Sequence, residues 1–174
     1  MPLTPQAAEL LRDELVEKYT NESANTAKVF AAIPQAKYDY KPHPKSFSFK
    51  DLAWHTANSE SWFVGSLAGK GFSMESMPSD VPKEAPATVA GLVETYQRIT
   101  AARIAELKAM SGAQLARELD FMGIMTKPAI KFMGIALDHA IHHRGQLTVY
   151  LRLVDAKVPS VYGPSADENP FEKK

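Results

Sequence analysis

The fold is decided by residues 127–155, which read KPAIKFMGIALDHAIHHRGQLTVYLRLVD. Lys127-Pro128 opens a helix, because proline fits the first helical turn, where its missing N–H would have had no partner. The helix is predicted to continue to about Asp155 and is apolar on most of its circumference. Its apolar residues are Ile130, Phe132, Met133, Ile135, Leu137, Ile141, Leu147, Val149, Leu151 and Leu153. A helix of this kind lies in the centre of a protein or at a subunit interface.

Three further segments predict amphipathic helices, because their apolar residues recur at steps near 3.6. Two of them begin at a residue that can cap a helix N-terminus, Thr4 before Pro5 and Ser48, and the third is predicted to begin at about Thr88. The predicted ends lie before Pro34, at Gly69 to Gly71, and at Ser111-Gly112 after Met110. The sequence therefore predicts four long helices.

Four helices joined by loops rich in proline, glycine and serine predict an all-α fold. About 14 residues separate the first two helices, which is long enough for a diagonal crossover. We predict a single domain over residues 1–174, an antiparallel four-helix bundle in up-down-down-up order, with a short flexible tail from about residue 165. Residues 113–126 have the least clear pattern, and residues 119–124 within them are interpreted as a short extended excursion.

The composition excludes several classes of function. The 174 residues include 20 basic and 20 acidic residues without a long run of either sign, so no basic stripe is present to bind nucleic acid or an anionic membrane. No apolar stretch approaches the ~18 residues of a spanning helix, and the N-terminus lacks the order of a secretory signal. We therefore expect a cytoplasmic protein.

Because the chain has no cysteine, a transition metal must be held by His, Asp or Glu.

The histidines are the candidate metal ligands. His139 and His143 lie four residues apart on one helical face, where two imidazoles can converge on one ion. His142 is rotated away from this pair. His55 shares a stripe of the second helix with Leu52, Trp62 and Phe63, which indicates that it faces the interior. The alternatives are a polar interruption of a surface for the pair and a satisfied core histidine for His55.

Three blocks of sequence resemble the DinB/YfiT-like family. They are DHAIHHRGQL at residues 138–147, SFKDLAWH at residues 48–55 and VYGPSADE at residues 161–168. The resemblance spans roughly residues 5–168. It implies a four-helix bundle, commonly a homodimer, that binds zinc or nickel through a histidine of the second helix and an H-x-x-x-H pair of the last helix. In this chain those ligands are His55, His139 and His143. Despite the name, this family is not the DNA-damage polymerase.

The resemblance also indicates a function. Characterised relatives include transferases and isomerases that use low-molecular-weight thiols such as bacillithiol or mycothiol, and others are hydrolase-like. We expect a metal-dependent enzyme that activates such a thiol or water for a small-molecule substrate, as an S-transferase or a hydrolase. The alternatives are a non-catalytic metal-binding or stress-response protein, and a helical dimerisation scaffold without metal.

Residues around the predicted ligands have weaker assignments. Asn58 and Gln146 lie about one turn after His55 and His143, where either could orient an imidazole or contact substrate. Arg144 is expected to form a salt bridge or a dimer contact. Gly134 and Gly145, inside the last helix, suggest close approach of another helix in this chain or across a dimer seam. The remaining large apolar residues, Trp54, Trp62 and the seven methionines, are expected to fill the core.

Overall fold

The computed structural model describes residues 2–69 and 71–172. Its long helices are α1 (Pro5–Ala31), α2 (Phe49–Ala68), α3 (Val89–Ala109) and α5 (Ala129–Leu153). A short helix α4 (Gly112–Ala116) and the strands β1 (Glu118–Phe121) and β2 (Met125–Pro128) lie between α3 and α5. The four long helices are the four that the sequence predicts. Lys70 and residues 173–174, which belong to the predicted end of α2 and to the predicted flexible tail, lie outside the described residues.

The first three long helices begin at a capping residue, and two of these residues, Thr4 and Ser48, are the predicted caps. The side-chain oxygens of Thr4, Ser48 and Thr88 each accept a hydrogen bond from a backbone N–H three residues later, at 3.2, 3.0 and 3.1 Å. These bonds satisfy N–H groups that have no partner inside the helix. Ser48 also donates its hydroxyl to the Asp51 carboxylate at 2.7 Å, which completes the capping of α2.

The bundle has the predicted up-down-down-up order. Helix α1 packs against α3 and α5, and α2 packs against the same two helices, so α1 and α2 occupy opposite corners. One half of the core joins the C-terminal halves of α1 and α5 to the N-terminal halves of α2 and α3, through Phe30, Leu151, Ala53 and Leu92 among others. The other half joins the opposite ends. Residues 32–48 therefore cross the bundle diagonally.

A small hairpin departs from the all-helical expectation. Strands β1 and β2 pair antiparallel, with Glu118 opposite Pro128 and Leu119 opposite Lys127. The predicted extended excursion is correct only for its first three residues, because Met122 and Gly123 have positive φ and form the turn. Lys127 and Pro128 belong to β2, so α5 begins at Ala129, two residues later than predicted. The backbone of these two residues pairs with β1, so it is extended and the helix starts only after it.

Helix α5 is buried over most of its length but not all round. Val149 and Leu153 remain 58% and 56% exposed, so the bundle does not cover this part of the helix. At Gly134 and Gly145 an added Cβ would meet no atom within 4 Å in the described chain, so the predicted close approach by a helix of the same chain is wrong.

No helix among the described residues is long and apolar enough to cross a membrane.

Among the deeply buried residues that can carry a charge, Arg144 and Glu60 each have a partner from another helix. Arg144 of α5, 2% exposed, forms a salt bridge with Glu22 of α1 at 2.6 Å, which confirms the predicted salt bridge. Glu60 of α2, also 2% exposed, accepts a hydrogen bond from the Tyr96 hydroxyl of α3 at 3.0 Å. Burial raises the pKa of Glu60 from 4.5 to about 7, against the opposing effect of its tyrosine hydrogen bonds.

We expect Glu60 to make folding sensitive to pH. Between pH 4.5 and about 7 the folded protein keeps a proton on Glu60 that the unfolded chain has released. The free energy of unfolding therefore falls as the pH rises through this range, by up to about 3 kcal/mol. The Glu60→Gln variant retains a hydrogen-bond acceptor for Tyr96 and loses this titration. Its stability relative to the wild type should rise over the same range.

Urea unfolding of both metal-free proteins at several pH values measures this difference. All other titrating groups, the histidines included, are common to the two chains and cancel in the comparison. A stability difference that stays constant from about pH 4.5 to about pH 8 would show that Glu60 titrates normally.

Candidate metal centre

The packing of α2 against α5 brings the predicted ligands together. His55 lies in the second turn of α2, and the cap at Ser48 fixes where this helix begins. His139 and His143 lie one turn apart on α5, so their side chains share a face. Because the two helices are antiparallel neighbours, this face of α5 meets the face of α2 that carries His55.

The three imidazoles converge on one point. The Nε2 atom of His139 lies 3.2 Å from Nε2 of His55 and 3.0 Å from Nε2 of His143. One ring nitrogen from each histidine lies within 4.8 Å of the others, and all three side chains are half-buried. His142 is exposed and is not a member of this group, as its helical position predicts.

The environment favours the neutral form of these imidazoles. Burial, and after it positive charge on the neighbouring histidines, lowers the pKa of His139 from 6.5 to about 4. Burial and then His143 also lower the pKa of His55. Neutral imidazole, with a free lone pair, is the form that binds a metal ion.

Gln146 orients one member of the group. Its Oε1 lies 2.7 Å from Nδ1 of His143, and since this oxygen can only accept, the Nδ1–H group donates. The proton of neutral His143 is thereby held on Nδ1, and Nε2 keeps its lone pair towards His139. Nδ1 of His139 is buried and has no hydrogen-bond partner among the described residues.

Asn58, the other predicted supporting residue, forms no hydrogen bond to a histidine. Its Oδ1 is buried without a partner among the described residues, and its side chain lines a cavity next to His55. The structure therefore brings Gln146, but not Asn58, into contact with the histidine group.

The group has the dimensions of a tetrahedral metal site. Zinc binds histidine nitrogens at ~2.0–2.1 Å, which separates two nitrogens of a tetrahedron by about 3.3 Å. The observed Nε2 separations of 3.0 and 3.2 Å are close to that value. A neutral His139 has at most one proton for Nε2, so it cannot donate to both neighbours, and a positive ion would satisfy all three lone pairs. The three histidines could therefore hold a divalent ion.

Two residues near the group are not core filling, contrary to prediction. The Trp62 indole is only half-buried and donates its Nε1–H to the backbone oxygen of Ser73 at 2.6 Å. Met74 is 83% exposed. Trp62 lies two helical turns after His55 on the same face of α2. This spacing indicated a position near the site, but the apolar side chain led to the prediction that it fills the core. Trp54, 7% exposed, does lie in the core.

Fold and site together define an all-α bundle with a three-histidine group between its second and last long helices. The chain belongs to the DinB family, whose sequence model matches residues 5–172. The family resemblance noted in the sequence is thus confirmed.

The chain is also similar to two proteins of Bacillus subtilis. The chain is 22% identical to the Bacillus subtilis protein YrdA over 158 residues, which is 90% of each protein. It is 26% identical to B. subtilis YjoA over 142 residues, covering 80% of this chain and 88% of YjoA.

Two crystal structures share the fold. A DinB-like protein from Bacillus cereus ATCC 10987 matches 93% of this chain and 100% of its own, with a TM-score of 0.70 at 21% identity. The structure of B. subtilis YjoA matches 85% and 97% of the two chains, with a TM-score of 0.70 at 25% identity.

Proposed function

We propose that the protein is a metal-dependent enzyme that binds zinc or nickel through His55, His139 and His143. The bound ion would activate a low-molecular-weight thiol or water. The observation that carries this proposal is the convergence of three Nε2 atoms on one point. Burial of polar nitrogens against one another has a cost unless a partner satisfies them. A divalent ion is the partner that the whole group fits.

An open site supports catalysis over a structural role. No fourth His, Asp or Glu joins the group within residues 2–69 and 71–172, the hairpin at 118–128 included. Structural zinc sites are closed by four protein ligands, whereas catalytic sites keep one position free. When bound by three neutral imidazoles, the ion would keep its full charge and supply Lewis-acid activation of a thiol or water.

The residues of the chain have separate tasks in this proposal. The three histidines bind the ion, and Gln146 holds the His143 ring in the tautomer that directs Nε2 inward. The half-buried setting leaves access for a small molecule while limiting water. A thiol is preferred to water because of the family resemblance. The homodimer, the small-molecule substrate and the cytoplasmic location stay predictions.

The first test is metal content. Protein purified without an affinity tag, stripped and then equilibrated with zinc or nickel, should hold about one ion per chain by elemental analysis. His143→Ala should remove binding, because two imidazoles remain. His142→Ala is the matched control and should bind like the wild type, because this histidine is exposed and outside the group. Less than about 0.2 ion per wild-type chain would refute metal binding, and equal loss in both variants would refute this ligand set.

A second test concerns Gln146. The Gln146→Ala variant should still bind metal, but with affinity lower by about tenfold or more, since partners of this kind typically contribute that much. Competition with a chromophoric chelator measures the dissociation constant. The matched control is Gln114→Ala, a glutamine in the α4 capping box far along the chain from the histidines. Unchanged affinity in Gln146→Ala would mean that the 2.7 Å contact with His143 has no role in binding.

Cobalt substitution distinguishes the reactions. If the protein activates a thiol, adding 2-mercaptoethanol, bacillithiol, mycothiol or glutathione to the cobalt form should produce a sulfur-to-cobalt charge-transfer band. Absence of this band with every thiol would contradict the transferase. A shift of the cobalt visible bands with a midpoint near pH 7, without a thiol response, would instead favour the hydrolase. Neither response would favour a non-catalytic metal-binding protein.

A further inference from the structure

A cavity of about 300 Å³ extends along α2 from the histidine group. Its wall is shared with the site, because His55 lines both. The other lining residues are Asn58, Ser59, Trp62, Met74 and Met77. The volume is at the lower end of the range for small-molecule pockets. The cavity is therefore large enough for a short substituent of a molecule whose reacting end lies at the histidines.

The lining is apolar in character. Trp62, Met74 and Met77 supply large uncharged surfaces, and His55 is the only ionisable lining residue. The single donor of the indole is already used by the Ser73 oxygen, so Trp62 has only apolar surface to offer a ligand. Methionine adapts to irregular apolar shapes. Apart from Asn58 and Ser59, the lining offers a ligand no uncharged polar side chain, so the cavity suits an apolar group better than a second charge or the many hydroxyls of a sugar.

The loop that carries the methionines is held against α2. An added Cβ at Gly65 would lie 2.3 Å from the Ser76 backbone oxygen and 2.9 Å from the Pro78 side chain, so only glycine permits this approach. The bond between Trp62 and Ser73 fixes the loop at a second point. The cavity wall is therefore built by the fold before any ligand arrives, which lowers the cost of binding.

We propose that the molecule bound at the three histidines carries a short alkyl or aryl arm that lies in this cavity against Trp62, Met74 and Met77. This inference rests on the proposed metal-bound thiol and adds the class of substrate. It favours an apolar substrate over a hydrophilic one such as a sugar-bearing thiol, because only the apolar arm replaces water along this wall.

The experiment measures the affinity of simple thiols for the cobalt-loaded protein. Ethanethiol, propanethiol, butanethiol and pentanethiol have similar thiol pKa values and differ in the length of the arm. Full burial of a methylene would tighten binding about fourfold, and a cavity open on one side should give about half the free energy, or about twofold per methylene. We expect the dissociation constant to fall about eightfold from ethanethiol to pentanethiol.

Variants of the lining locate the arm. Ser59→Leu fills the cavity and should abolish the dependence on chain length while ethanethiol still binds. Met74→Ser removes part of the apolar wall and should weaken the dependence. It provides a second route should Ser59→Leu fail to fold, since Met74 is 83% exposed. The matched control is Met122→Ser in the hairpin turn, 64% exposed, which should leave the series unchanged.

The outcomes separate this inference from the proposed function. If neither 2-mercaptoethanol nor any alkanethiol gives a charge-transfer band, thiol binding itself is refuted, and this inference with it. If all bind but the series changes less than about twofold in total, the metal-bound thiol stands and the apolar arm is refuted. An unchanged series in both Ser59→Leu and Met74→Ser would likewise overturn the location in this cavity.

Discussion

The antiparallel contact between α2 and α5 is the interaction on which the site depends. The pair His139 and His143 needs a third histidine to complete the group. Helix α5 cannot supply it, because His142 is exposed and lies outside the group. The diagonal crossover at residues 32–48 makes α2 a neighbour of α5 and places His55 opposite the pair. A connection that placed α2 in the corner now occupied by α3, diagonally opposite α5, would keep four helices and a core but would lose the histidine group.

The buried polar residues show why the histidines differ from the rest of the interior. Arg144 is neutralised by Glu22, and Glu60 is hydrogen-bonded by Tyr96 and has a pKa raised to about 7. Both solutions are complete within the chain. The histidines meet only one another, at separations that protons cannot fully satisfy, and Nδ1 of His139 has no partner among the described residues. The convergence of three ring nitrogens on one point distinguishes this group from single buried atoms without a partner among the described residues, such as Nε1 of Trp54 and Oγ of Ser66.

The sequence predicted what depends on local interactions. Thr4, Ser48 and Thr88 cap the first three long helices through backbone groups three residues away. Helix α5 has no side-chain cap, and its apolar spacing predicted it. The orientation of His55 towards the interior was predicted because it shares a helix face with apolar residues of α2. Convergence with His139 and His143 needed the order of helices around the bundle, which periodicity does not encode, and the family resemblance supplied it. The raised pKa of Glu60 and the exposure of Met74 depend on the packing around them and left no local pattern. The β1–β2 pairing was indicated only as a short extended stretch at residues 119–124.

The division of the site between helices and loop has a consequence for specificity. The histidines are fixed by α2 and α5, whereas Met74 and Met77 lie on a segment that α2 holds through Gly65 and Trp62. Changes of side chain in this segment alter the apolar wall without displacing a helix, so they leave the three nitrogens in place. Loops tolerate substitution better than packed helices, so this part of the cavity wall can change while the histidine group stays intact. Under the proposed function, the three histidines would hold the ion, and α2 together with the loop after it would select the substrate.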